Sequence, residues 1–256
     1  MSRISSVFAK PGHKALIAYL TVGYPAVDTT LEVVPALADW GCDIVELGIP
    51  FSDPLADGAT IQEASYQALE NGVTPGLCLE IAARLRQKVD IPLVFMTYYN
   101  PVFKFGLRSF CEASARAGID GLIVPDLPPE EGRELGSISQ EQGLDLVYLL
   151  APTSDEKRIE LVCQASRGFV YLVSLIGVTG ARQTLPVELE SFVTKARGRT
   201  SLPLCVGFGI STPEQAQRVA RIADGVIVGS RIVQLLKEGE PEDKLRPFIQ
   251  GLRAAL

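Results

Sequence analysis

The stretch Leu202-Pro203-Leu204-Cys205-Val206-Gly207-Phe208 is followed by Ser211-Thr212-Pro213-Glu214, by the helical segment Ala216–Ala223, and by Gly225-Val226-Ile227-Val228-Gly229. Its two apolar runs are continuous rather than alternating, the pattern of strands buried on both faces. Between them, a Ser/Thr cap with proline at the first helical position marks a helix start. This is one complete β–α–β unit, which implies parallel strands joined by a crossover helix.

The same unit recurs in both directions. The predicted strands are Ala15–Val22, Asp43–Ile49, Pro92–Tyr98, Gly121–Asp126, Asp145–Ala151, Phe169–Leu175, Leu202–Phe208 and Gly225–Gly229. Thr29–Trp40 carries Leu31, Val34, Leu37 and Ala38 on one stripe, and Thr153-Ser154-Asp155 announces the helix Glu156–Gln164. Gly41, Gly118 and Gly143 stand where helices should stop, just before the next strand. Eight units in 256 residues leave no linker, so one domain over 1–256 is expected. An open doubly wound sheet fits the periodicity, but this length is the usual size of a (β/α)8 TIM barrel. An extra N-terminal helix precedes the first strand. A long connection after the second strand holds the polar stretch Pro50–Gly58 and then the helical patterns Ala59–Glu70 and Pro75–Gln87. Pro241–Leu256 reads as a last amphipathic helix with Leu245, Phe248, Ile249 and Leu252 turned inward.

Composition narrows the function. A formal net charge of −6 argues against nucleic-acid binding. No apolar run reaches a membrane span. Arg3, Lys10 and Lys14 ahead of Ala15–Leu20 superficially imitate a secretion signal, but the run is short and no small-x-small site follows. The five cysteines, Cys42, Cys78, Cys111, Cys163 and Cys205, form no CxxC pair, which suits reduced thiols in a cytoplasmic protein. If the source were a plant, the expected place is the plastid stroma after removal of a transit peptide. His13 is the only histidine, so a multi-histidine metal site is excluded and carboxylates must carry any acid–base work.

Glycine-bearing turns close the last two predicted strands, Gly207-Phe208-Gly209 and Gly229-Ser230, and Gly177-Val178-Thr179-Gly180 follows the sixth. Turns in those positions are the usual phosphate cradle of this barrel, with backbone N–H groups and a helix start facing the anion. Glu46 is the only charge in Ile44–Ile49. Burial there would raise its pKa and suit a general acid or base; the plain alternative is a charge facing the helices and paired with an arginine. Asp53 and Asp57, in the loop above that strand, and Asp126, at the end of the fourth, are further candidates or merely turn residues. None of the eight lysines falls in a predicted strand, where a Schiff base would need one. These features suit lyase or isomerase chemistry driven by proton transfer.

Residues 45–58, Val-Glu-Leu-Gly-Ile-Pro-Phe-Ser-Asp-Pro-Leu-Ala-Asp-Gly, closely resemble the signature of the tryptophan synthase alpha subunit family, as do 177–180, 206–211 and 225–230. The resemblance covers essentially the whole chain. It implies a retro-aldol cleavage of indole-3-glycerol phosphate to indole and glyceraldehyde 3-phosphate, in tryptophan biosynthesis. It implies no cofactor in this subunit, with PLP only in a partner beta subunit, and an α2β2 assembly whose contacts include segments 50–58 and 99–105. By the same resemblance, Glu46 is the acid–base residue and Asp57 accepts the indole N–H. Tyr171 lines the pocket and Thr179 orients Asp57. Gly180, Gly207, Phe208, Gly209, Gly229 and Ser230 hold the phosphate. Tyr19, Leu20, Met96 and Tyr98 are expected as walls of a flat, apolar indole site. The chain departs from many relatives in carrying Leu175-Ile176 where they place an arginine before Gly177.

Four alternatives remain. A freestanding lyase would release indole without a partner. An indole-glycerol-phosphate synthase would need a strand lysine, and a phosphoribosyl isomerase would lack Pro50–Pro54. A purely regulatory barrel would have no use for Glu46 and Asp57.

Overall fold

The computed structural model of the protein describes residues 2–173, 187–207, 209–238 and 241–256. Its elements run α1 (Arg3–Val7), β1 (Ala15–Thr21), α2 (Val27–Asp39), β2 (Ile44–Gly48), α3 (Ala59–Glu70), α4 (Pro75–Arg86), β3 (Leu93–Met96), α5 (Tyr99–Phe105), α6 (Leu107–Arg116) and β4 (Gly121–Ile123). They continue with α7 (Arg133–Glu141), β5 (Asp145–Val147), β6 (Leu149–Leu150), α8 (Glu156–Ala165), β7 (Val170–Val173), α9 (Val187–Arg197), β8 (Leu204–Gly207), α10 (Pro213–Ala220), β9 (Gly225–Val228), α11 (Ser230–Lys237) and α12 (Pro241–Ala255). Every strand pairing is parallel, in the order β5-β4-β3-β2-β1-β9-β8-β7-β6. β5 and β6 are halves of one predicted strand, parted at Tyr148, which donates its N–H to Ser166 Oγ at 3.3 Å. β5 pairs with β4 and β6 with β7, so the chain itself closes the ring into the expected eight-stranded barrel.

The local signals act as their chemistry requires. Asp155 caps α8 by accepting the Arg158 N–H, and Thr212 closes a capping box with Gln215 at α10. Gly41, Gly118 and Gly143 follow their helices at positive φ. On α12, Leu245, Ile249 and Leu252 are fully buried, and Phe248 packs partly against the core. Among the described residues, no helix is long and apolar enough to cross a membrane.

The amino ends of the strands are held by a recurring aspartate. Asp43, Asp120 and Asp224 each donate a backbone N–H to the carbonyl of Leu16, Leu93 and Leu204, and each takes that leucine's N–H on its own Oδ2 at 2.7, 2.9 and 2.8 Å. Arginines neutralise these carboxylates: Arg253 on Asp43, Arg86 and Arg3 on Asp120, Arg197 on Asp224. Ile4 of α1 plugs the floor beneath Gly121. This end carries stability, which leaves the opposite mouth free for chemistry.

Candidate active site

Register and alternation decide which side chains enter the barrel. Tyr19 pairs with Glu46 and Glu46 with Val94, while Thr21 pairs with Gly48 and Gly48 with Met96. Across the ring, Tyr171 pairs with Cys205 and Val173 with Gly207. Glycines confirm that these residues share the interior. A Cβ on Gly48 would fall on the Tyr19 hydroxyl, and one on Gly207 on the Tyr171 hydroxyl. Both tyrosines therefore lean one step up toward the mouth over a glycine of the neighbouring strand.

Glu46 sits in this interior with 0% exposure, and its two carboxyl oxygens have no hydrogen-bond partner among the described residues. The alternative of a charge facing the helices and paired with an arginine is thereby set aside. Burial without compensation pushes its pKa up to about 8. At neutral pH it is a carboxylic acid inside an apolar barrel, a group that buried structure alone does not favour.

Asp57 reaches the same space from above. The loop after β2 folds on itself, with Asp57 N–H donating to the Pro54 carbonyl at 3.0 Å and Gln62 Nε2 holding the Asp57 carbonyl at 2.9 Å. The Tyr98 hydroxyl, just past β3, donates to Asp57 Oδ2 at 3.0 Å and accepts the Ala56 N–H at 2.9 Å. Phe51 packs against the Tyr98 ring at 5.3 Å. Burial raises the Asp57 pKa to about 6, against the lowering effect of the Tyr98 hydrogen bond. Burial, and after it the charges of both carboxyl groups, raises the pKa of the Tyr19 and Tyr171 phenols, so each tyrosine lies within electrostatic reach of both Glu46 and Asp57. The other two loop candidates have local duties. Asp53 is exposed and takes the Ser52 hydroxyl, and Asp126 accepts the Tyr99 N–H at the start of α5.

Met96 ends β3 on the interior face, beside Gly48, and Tyr98 follows at the rim. Leu20 is a correction. It alternates with Tyr19 and Thr21, so the strand turns it toward the helices rather than into the pocket. Thr21, next to Tyr19 on the inner face, was not anticipated. It is buried, and its Oγ1 lies 3.3 Å from the Tyr19 hydroxyl. Its signal was present all along: a polar residue two places after Tyr19 in an otherwise apolar run.

Opposite the carboxyl groups, β8 ends at Gly207, Gly209 turns back at φ +78°, and Gly229 leads into α11 with Ser230 exposed at its first position. The positive φ at Gly209 is where a residue with a Cβ would be strained. Arg231 is occupied by Glu238 and Gln234, so among the described residues the backbone N–H groups and the helix start are what this turn offers an anion. Thr179, Gly180 and Phe208 lie outside the described residues.

Comparison with known proteins agrees with this arrangement. A family profile described as tryptophan synthase alpha chain matches residues 6–251. The tryptophan synthase alpha chain of Dehalococcoides mccartyi is 58% identical over 256 residues, covering 100% of both chains. That of a Geobacter species is 49% identical over 259 residues, covering 99% of this chain and 97% of its own. Among solved structures, tryptophan synthase from M. tuberculosis in its aminoacrylate-bound form superposes with a TM-score of 0.90 at 38% identity, over 100% of this chain and 99% of that one. With the barrel and the arrangement of its inner face, these likenesses place the chain in the tryptophan synthase alpha chain family.

Proposed function

We propose that this chain is the lyase component of tryptophan synthesis, cleaving indole-3-glycerol phosphate to indole and glyceraldehyde 3-phosphate. One observation carries the reading: two carboxyl groups at the barrel mouth are both raised by burial but to different extents, Glu46 to about 8 and Asp57, held down by the Tyr98 hydrogen bond, to about 6. At neutral pH one is an acid and the other an anion, which is the division of labour this reaction needs.

Neutral Glu46 gives its proton to C3 of the indole ring. The ring nitrogen becomes cationic, and Asp57, as the anion, accepts its N–H and stabilises that charge. Glu46, now a carboxylate, takes the proton of the hydroxyl on the carbon joined to C3. The C–O bond becomes a carbonyl, the C3–carbon bond breaks, and its electron pair restores the aromatic ring. Glu46 ends as it began, protonated, and the net change is one proton moved from oxygen to carbon. Tyr98 holds Asp57 in place, Met96 and the tyrosine rings enclose the indole, and the turns at Gly207–Gly209 and Gly229–Ser230 receive the phosphate. No step calls on a cofactor bound by this chain; PLP chemistry is assigned to the partner.

A beta-subunit partner fits the surface. Leu55 is 93% exposed and Phe103 63% exposed, on the two segments expected to make that contact, 50–58 and 99–105. An α2β2 assembly in the cytoplasm is the corresponding expectation. Incubating the chain with indole-3-glycerol phosphate and measuring indole, with and without a beta subunit, tests the reading. Indole formed chiefly with the partner supports the synthase component. Strong release by the chain alone favours the freestanding lyase, and no indole in either arm overturns both.

A further inference from the structure

Glu46 and the phosphate turn stand on different strands, and β1 lies between them, flanked by β2 and β9. Tyr19 spans that gap. Its ring is close enough to Gly229 that a Cβ there would come within 3.2 Å of Cδ1, while its hydroxyl hangs over Gly48 on the strand of Glu46. A carbon chain running from a phosphate at Gly229 to a ring beside Glu46 must cross this phenol.

The hydroxyl inventory is unequal to its partners. Tyr19 and Thr21 bring one O–H donor each. They bond to one another at 3.3 Å in a buried setting, which consumes one hydrogen and leaves the other. Glu46 has two buried oxygens that no donor among the described residues reaches, and once its proton has gone to C3 both are acceptors. A buried polar set with a spare donor on one side and bare acceptors on the other calls for a third group between them. A hydroxyl of the substrate has the right chemistry, since it can accept from one side and donate to the other.

We propose that the Tyr19–Thr21 hydroxyl pair is a positioning subsite, donating its spare hydrogen to the substrate hydroxyl on the carbon joined to the indole ring and so turning that hydroxyl's own proton onto Glu46. The inference rests on the lyase reading and adds residues to it. It also gives Tyr19 a polar role in place of the apolar wall expected from the sequence.

The test compares two ligands that differ only in the groups at issue. Indole-3-glycerol phosphate carries the chain hydroxyls, and indole-3-propanol phosphate lacks both. For the full chain with a beta subunit, Tyr19→Phe keeps the ring and removes the hydroxyl. It is expected to lower kcat/KM for the glycerol substrate roughly 10- to 100-fold, while the Kd of the propanol analogue stays within about threefold. Thr21→Val follows the same pattern, and Thr21→Ser regains most of what Thr21→Val loses. A Tyr19→Phe chain with parental kcat/KM overturns the subsite. So does a variant whose analogue affinity falls by the same factor as kcat/KM, since that is loss of packing. Glu46→Gln separates the two ideas. If it is inactive while Tyr19→Phe is parental, the lyase reading stands and only the subsite falls. If Glu46→Gln forms indole at the parental rate, the lyase reading itself fails.

Discussion

The Tyr98 hydroxyl donates to Asp57 Oδ2 at 3.0 Å while accepting the N–H of Ala56, so one phenol at the rim of β3 fixes both the carboxylate and the loop that carries it. Tyr98→Phe removes both contacts and keeps the ring against Phe51. The hydrogen bond lowers the Asp57 pKa, so its loss moves that pKa above about 6. The acidic limb of the rate profile should shift to higher pH, and kcat should fall about tenfold. An unchanged acidic limb would show that Tyr98 does not hold the anion.

The two perturbed carboxyls set the pH dependence of the parent chain. In the proposed mechanism, activity needs Asp57 ionised and Glu46 protonated. It should fall below pH about 6 as Asp57 gains a proton, and above pH about 8 as Glu46 loses one, giving a bell. A profile still rising past pH 9 would contradict the assignment of Glu46 as the acid.

Glu46 also makes stability depend on pH. Its pKa is raised on folding from 4.5 to about 8, so between those values the folded chain holds a proton that the unfolded chain has released. Stability is full below the unfolded pKa and is lost as pH rises through the folded one. From pH 5 to pH 8 the loss is roughly 4 kcal/mol. Glu46→Gln abolishes that slope, so the variant should be less pH-sensitive and more stable than the parent at pH 8. Denaturant titrations at the two pH values check this, and equal slopes for parent and variant would refute it.

The far end of the barrel should behave oppositely. Asp120→Ala removes the acceptor of the Leu93 N–H and leaves Arg86, itself partly buried, without its carboxylate. The expected cost is about 3 kcal/mol, or about 6–12 °C in Tm for a chain of this size. KM and kcat at 25 °C should be unaffected, because these contacts lie at the amino ends of the strands. A large change in KM would tie this face to the site.

Much of this was legible in the sequence, for identifiable reasons. Strands buried on both faces, such as Ala15–Thr21 and Ile44–Gly48, are unbroken apolar runs, so they stand out, and Glu46 stands out inside one of them. The turns proposed to receive the phosphate show themselves through glycine. Direction is harder to read. In a run apolar on both faces nothing marks which face is inner, so Leu20 was expected beside Tyr19 in the pocket although alternation sends it to the helices. Which loop aspartate turns toward the barrel was equally hidden, because only the fold brings Tyr98 to Asp57 and leaves Asp53 in solvent. The aspartates that clamp the strand starts depend on arginines far away in sequence, Arg253 for Asp43 being the longest reach, and no local pattern announces them.

The account depends most on Glu46 being a neutral acid at physiological pH. The most direct measurement is a pH titration of its carboxyl carbon by NMR in the 13C-glutamate-labelled chain, with Glu46→Gln identifying the resonance. A midpoint near pH 8 is the predicted result. A midpoint near 4.5, the ordinary value for an exposed glutamate, would contradict it.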